Sequence, residues 1–158
     1  MEDVTGFLDH AGVDHDVLEH AHTERAEDEA AALGIQPEEV AKTLVLVAPS
    51  GNVRAVLAAS ERVDLHKVAR VLGVGSKKVH LASEEDLGRD YPDFELGAVP
   101  PFGGREDQVI VDERLAGRDS VVLEAGTHEQ SVRMKAADLV RLTRARVADI
   151  TKEAPEAG

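Results

Sequence analysis

Two apolar, valine-rich runs, residues 42–48 and 53–59, flank the tetrapeptide Pro49-Ser50-Gly51-Asn52. No other feature constrains the chain as much. Turn residues between two strand-like runs specify a hairpin, so the middle of the chain is antiparallel sheet. Helical stripes surround it. Val4, Phe7, Leu8 and Ala11 follow i, i+3, i+4, i+7 spacing and end at Gly12; Leu65, Val68, Ala69 and Leu72 repeat it between an Asp64 cap and Gly73. Residues 14–20 read as a short strand. Thr23 is the expected N-cap of a helix over 24–33, with Ala26, Ala30 and Leu33 inward and Gly34 at its end. Pro37 opens a short turn, 78–82 is extended, and Ser83 starts another helix.

From Asp90 to Asp107 periodicity stops, and such loops in compact domains are usually functional or mobile. Strands follow over 108–112, 120–124 and 130–134, then a helix over 136–142 and a last strand over 145–150. Hairpins mixed with helices, without βαβ alternation, give an α+β fold on a mixed or antiparallel sheet. A single domain is expected over 1–152, with 153–158 a flexible tail.

A length of 158 residues suits one domain, and 42% hydrophobic with 31% charged residues is a globular balance. The longest uncharged apolar runs are five residues, against about 20 for a membrane span. The acidic, histidine-rich start is unlike a signal peptide. A cytoplasmic protein with no membrane partner is expected. Zero cysteines exclude disulfides, thiolate zinc sites and cysteine nucleophiles.

Charge is placed unevenly. Residues 1–40 hold 12 acids and one base, Arg25, and so carry most of the net −13. Residues 131–152 are locally basic through Arg133, Lys135, Arg141, Arg144, Arg146 and Lys152, so an RNA-facing surface is compatible with an acidic protein. The acid excess fits adaptation to high salt and an ordinary acidic protein equally well.

Familiar motifs are missing. Gly73-Val74-Gly75-Ser76-Lys77-Lys78 follows a helix and has its Ser before its Lys, unlike a phosphate loop. His10, His15, His20 and His22 lack metal-ligand spacing, and no serine sits in a G-x-S-x-G elbow. No metal site and no cofactor are expected. Three features stand out instead. Lys42 interrupts an apolar stretch, Gly97-Ala98-Val99-Pro100-Pro101-Phe102-Gly103 is a stiff loop rich in backbone groups, and Gly126-Thr127-His128 is a turn carrying an imidazole.

In order along the chain, these resemble the YbaK family of aminoacyl-tRNA deacylases, which includes the editing domain of prolyl-tRNA synthetases. The likeness runs through His20-x-x-Thr23, Val40-Ala41-Lys42-Thr43-Leu44, Leu72-Gly73, the G-x-x-x-P loop Gly97 to Pro101, Asp112-Glu113, Ala125-Gly126-Thr127, Asp138-Leu139 and Val147-Ala148-Asp149-Ile150.

The resemblance implies a curved sheet with surrounding helices and hydrolysis of the ester that joins a wrong amino acid to tRNA. The alternative is an inactive tRNA-binding or synthetase-associated module of the same fold. It implies catalytic roles for Lys42, Gly97, Pro101 and His128. Substrate contacts are implied for Lys42, Ala98, Val99, Pro100, Phe102, Gly126 and Thr127. The implied partners are mischarged aminoacyl-tRNA and, further, an aminoacyl-tRNA synthetase.

An anionic partner avoids carboxylates within a Debye length of about 8 Å at physiological salt. Residues 1–40, Glu24 to Glu29 included, are therefore expected to lie mostly away from the pocket mouth. Lys42 and some of Arg133, Lys135, Arg141 and Arg144 are expected nearer the tRNA.

Overall fold

Side-chain caps set several helix boundaries. In the computed structural model, which describes residues 4–153, the Asp64 carboxylate accepts the N–H groups of His66 and Lys67, starting α3 (Leu65–Leu72). Ser83 and Asp86 form a reciprocal capping box at the start of α4 (Glu84–Asp90). Before these come α1 (Val4–His10), β1 (His15–Glu19), α2 (Ala26–Leu33) and the hairpin β2 (Val40–Ala48) and β3 (Gly51–Ala58). The short strand β4 (His80–Leu81) lies between α3 and α4. After the long loop come β5 (Gln108–Asp112), α5 (Glu113–Ala116), β6 (Ser120–Thr127), β7 (Gln130–Lys135), α6 (Ala136–Thr143) and β8 (Arg146–Ala148). Of the tail expected over 153–158, residues 154–158 lie outside the described residues.

Two local expectations are corrected, and one element, α5, has no counterpart in the sequence reading. Thr23 does not cap α2: its N–H donates to the His128 carbonyl at 3.0 Å, which ties it to the β6–β7 turn, and the helix begins at Ala26 behind Arg25. The single turn α5 is too short to show periodicity; Asp112 caps it by accepting the Arg114 N–H. The last strand is shorter than 145–150. Arg144 is left-handed at φ 52°, the Ala145 N–H closes α6 on Val140, and the Ile150 N–H turns to the buried Asp112 carboxylate.

The eight strands form one mixed sheet in the order β1-β7-β6-β2-β3-β5-β8, with β4 on β2. The pairs β2–β6, β3–β5 and β5–β8 are parallel, and the others are antiparallel. Both faces are covered. Val56, Ala58, Val109, Val111 and Leu123 pack with α1, α5 and α6 on one side. Ala55 and Ile110 pack with α3 on the other, where α2 also covers Val40 and Val122. Such double coverage explains why β3 reads as an almost continuous apolar run.

Arg54 breaks that run and is 1% exposed. Its Nε donates to Asp107 Oδ2 at 2.9 Å, Nη1 to the Pro100 carbonyl at 2.9 Å, and Nη2 to the carbonyls of Gly103 and Arg105 at 2.6 and 3.1 Å. The Tyr91 hydroxyl donates to the same Asp107 oxygen at 2.5 Å, and the guanidinium sits 4.9 Å from the Tyr91 ring centroid. One side chain thereby fixes the irregular segment 100–107.

Replacing Arg54 with Leu strands a buried carboxylate and three carbonyls. We expect Arg54→Leu to lose about 3–5 kcal/mol of unfolding free energy in urea titrations, the usual loss on breaking a buried ion pair from one side. Loss of under about 1 kcal/mol, the range of an exposed pair, would remove Arg54 from this role.

Candidate active site

The second edge of β2 is interrupted. Its pairing with β6 covers Val40 and Ala41, and its pairing with β4 covers Leu46 and Val47. The Ala82 N–H takes the Val45 carbonyl at 2.9 Å. Since alternate residues present their peptide groups to one edge, Thr43 is left facing the opening between β6 and β4. The loop 97–100 closes this opening into a cavity of about 250 Å³, lined also by Glu24, Arg25, Ala26, Glu27, Ala41, Lys42, Leu44, Ala59 and Glu124.

Lys42 is half-buried there, and its Nζ donates to the Ala59 carbonyl at 3.4 Å. Burial pulls its pKa below the ordinary lysine value, with Glu27 acting in the opposite direction. Gly97, Ala98, Val99 and Pro100 share the cavity with it. Gly97 has φ +83°, and a Cβ placed on it would stand 3.6 Å from His128 Cε1. The Ala98 N–H is committed to the Glu95 carbonyl at 2.9 Å and Pro100 has none. Among the described residues the N–H groups of Gly97 and Val99 have no partner, which leaves them as the loop's donors to a ligand.

Other expected site residues stand back from this cavity. His128 is 3% exposed and lies behind the loop. Its Nε2 donates to the Leu96 carbonyl at 2.7 Å, and its N–H donates to the Glu95 carboxylate. Gly126, at φ +90°, packs against Phe94, whose Cδ1 would be 2.9 Å from any Cβ added there. Thr127 ends β6 next to that contact. Pro101 and Phe102 face a second, wider cavity on the far side of the loop, where the Phe102 ring stacks on Phe7 at 5.2 Å.

The expected charge segregation is overturned. Glu24, Arg25 and Glu27 line the Lys42 cavity, because the Thr23–His128 bond swings the start of α2 across its mouth. Arg133, Lys135 and Arg141 do not line it, and Arg144 borders the second cavity instead.

Two contributors escaped sequence reasoning. Arg54 carried the same signal as Lys42, a cation within an apolar strand. Glu124 carried a similar one, an acid in the run Val121-Val122-Leu123-Glu124-Ala125. Burial, reinforced by Glu29, Glu95 and Glu24, pushes the Glu124 pKa up to about 9. Its Oε2 stands 3.1 Å from His128 Nδ1 but out of line, so neither atom has a hydrogen-bond partner among the described residues. Beneath it the Ser131 hydroxyl donates to the fully buried Glu29, whose pKa burial also raises.

The Glu124 shift has a consequence for stability. Its folded pKa, about 9, lies above the ordinary 4.5. The folded state therefore binds the proton more tightly, and stability falls as pH climbs from about 4.5 toward about 9. Glu124→Gln, which cannot ionise, should melt higher than the parent at about pH 8, with the difference narrowing toward about pH 4. A parallel pair of Tm–pH curves would contradict the assigned burial.

The comparisons with known proteins agree with this architecture. The model of the aminoacyl-tRNA editing domain matches residues 20–142. A multifunctional Ser/Thr-tRNA deacylase, ProXp-y of Escherichia coli, is 27% identical over 94% of this chain and 90% of its own. A solved structure described as a candidate trans-editing enzyme for prolyl tRNA synthetase is 29% identical, covers 95% of both chains and superposes with a TM-score of 0.85. A hypothetical protein of 24% identity shares the fold at a TM-score of 0.86, covering 96% of this chain and all of its own. With its interrupted strand edge, half-buried lysine and glycine–proline loop, the chain belongs to the aminoacyl-tRNA editing domain family.

Proposed function

We propose that the protein is a trans-editing deacylase that hydrolyses the ester between a misattached amino acid and the terminal ribose of tRNA. The observation that carries this reading is the joint lining of one small cavity by Lys42 and the loop 97–100, within a chain of the editing family. An aminoacyl ester is already activated, so the protein need only orient a water molecule and stabilise the oxyanion. The free N–H groups of Gly97 and Val99 suit the oxyanion. Lys42 suits the terminal phosphate or the developing charge. Pro100 stiffens the loop, and His128 supports it from behind through Leu96. Pro101 and Phe102 serve the loop's shape rather than the amino acid, and Gly126 and Thr127 form the turn that carries His128. Association with a synthetase is a further proposal of this reading.

The test is amino-acid release from a panel of tRNAs charged with Ala, Ser, Thr, Cys or Pro. Release from at least one mischarged species is expected. Lys42→Ala should abolish it with the melting curve intact; retained turnover removes the lysine from the chemistry.

Gly97→Ala forces a side chain onto φ +83° and displaces a loop donor. It should slow single-turnover hydrolysis by about 10²–10³-fold, as in losing one oxyanion donor, with little change in tRNA affinity. A pure affinity loss would contradict the assignment.

A further inference from the structure

Carboxylates at the mouth of a cavity that receives RNA are electrostatically adverse unless something cationic enters with it. Glu24 and Glu27 stand at the rim with side chains 72% and 52% exposed, whereas Glu124 is 11% exposed. Arg25, the one other lining cation besides Lys42, is paired with Glu27 at 3.1 Å. Glu124 lines the same cavity and makes no hydrogen bond among the described residues. A buried carboxyl left unpartnered is costly. Outside the lining, Thr23 Oγ1 and His128 Nδ1 are also buried without partners among the described residues. With Glu24, Glu27 and Glu124 in its lining, the cavity wall is rich in acceptors, the surface that a group with several donors and a positive charge would satisfy.

We propose that Glu124 receives the α-ammonium group of the aminoacyl moiety, with Glu24 and Glu27 forming a cation-attracting rim. The proposal rests on the reading that this cavity takes the aminoacyl end of tRNA. Placement supports it. The His128 imidazole touches Glu124 Oε2 through Nδ1 at 3.1 Å, and its Cε1 and Nε2 back Gly97 at 3.6 and 3.7 Å from a Cβ placed there. The carboxyl and the loop glycine therefore both pack on one imidazole ring, and both line the same cavity. A substrate held this way presents its carbonyl to the Gly97 and Val99 N–H groups while its ammonium meets the carboxyl. Esters whose α-nitrogen is already acylated, as in peptidyl-tRNA, bring no cation and are rejected.

The probes are 3′-seryl- and 3′-alanyl-amido-3′-deoxyadenosine, stable amide mimics of the charged terminus, and their N-acetyl counterparts. Their binding to the full chain is read by calorimetry, beside turnover of Ser- and Ala-tRNA and the N-acetylated forms. The free-amine mimics should bind about 10- to 100-fold more tightly than the N-acetyl ones, the range of a charge-assisted hydrogen bond. An arriving ammonium lowers the pKa of the carboxyl it meets, so Glu124 gives its proton to solvent as the amine binds; Glu124→Gln cannot ionise and should remove most of that ratio. Equal binding by the parent protein, failure of all four mimics to bind, or a ratio that survives in Glu124→Gln overturns the proposal. The parent comparison alone decides the matter if the variant does not fold. Turnover of mischarged tRNA with amine-independent binding leaves the deacylase reading standing and ends this one. Amine-dependent binding without turnover does the reverse.

Discussion

The guanidinium of Arg54 is the interaction on which the site depends. Residues 91–107 contain no helix or strand, so their peptide groups have no ladder to satisfy them. Arg54 supplies fixed donors to three of those carbonyls and to Asp107, and a planar five-donor group suits such divergent acceptors better than a lysine ammonium. Asp107 is 2% exposed and accepts from Arg54, Arg105 and Tyr91. A buried ion pair is seldom the most stable filling for a core. Here it lets an irregular loop hold one shape against a sheet, which a site relying on backbone donors requires.

Opposite economies of charge meet across the cavity. On the β2 side burial lowers the pKa of a lysine; on the β6 side it raises that of a glutamate. Each group is held in a site that disfavours its charged form, and perturbed pairs in a cleft are the pattern expected of functional residues. Surface pairs such as Arg89–Asp90 or Arg141–Asp138 lie outside that cavity and are well exposed on the arginine side. They contribute little beyond local order.

Much of this was legible in the sequence, for reasons specific to each element. The β2–β3 hairpin, the Asp64 and Ser83 caps and the glycines closing α2 and α3 are local devices, decided within a few residues. Lys42 and the Gly97 loop stood out because a charge in an apolar run and a proline-stiffened break are visible without a fold. The start of α2 was misplaced because a long-range bond from Thr23 to His128 overrides the local capping preference. The acidic rim was misjudged for the same reason. Charge counted along a segment says nothing about which face the segment presents, and the turn that carries His128 lies over a hundred positions away. Arg54 was legible in principle, yet its acceptors are scattered over residues 100–107, and only the fold assembles them.

The cavity lies where sheet pairing fails, and that placement links the fold to the chemistry. An open strand edge is usually a hazard, because unpaired peptide groups invite another strand. Along β2 the exposure is confined to the neighbourhood of Thr43, between the β6 and β4 ladders. Prolines 100 and 101 make the covering loop a poor strand partner, so it closes the gap without completing the sheet. What remains is a short stretch of backbone polarity facing a small cavity, with a lysine on one wall and a carboxyl on the other. A scaffold of this kind can offer peptide groups to an ester alongside those two side chains. The chain can therefore carry a hydrolytic site with no cysteine and no serine elbow.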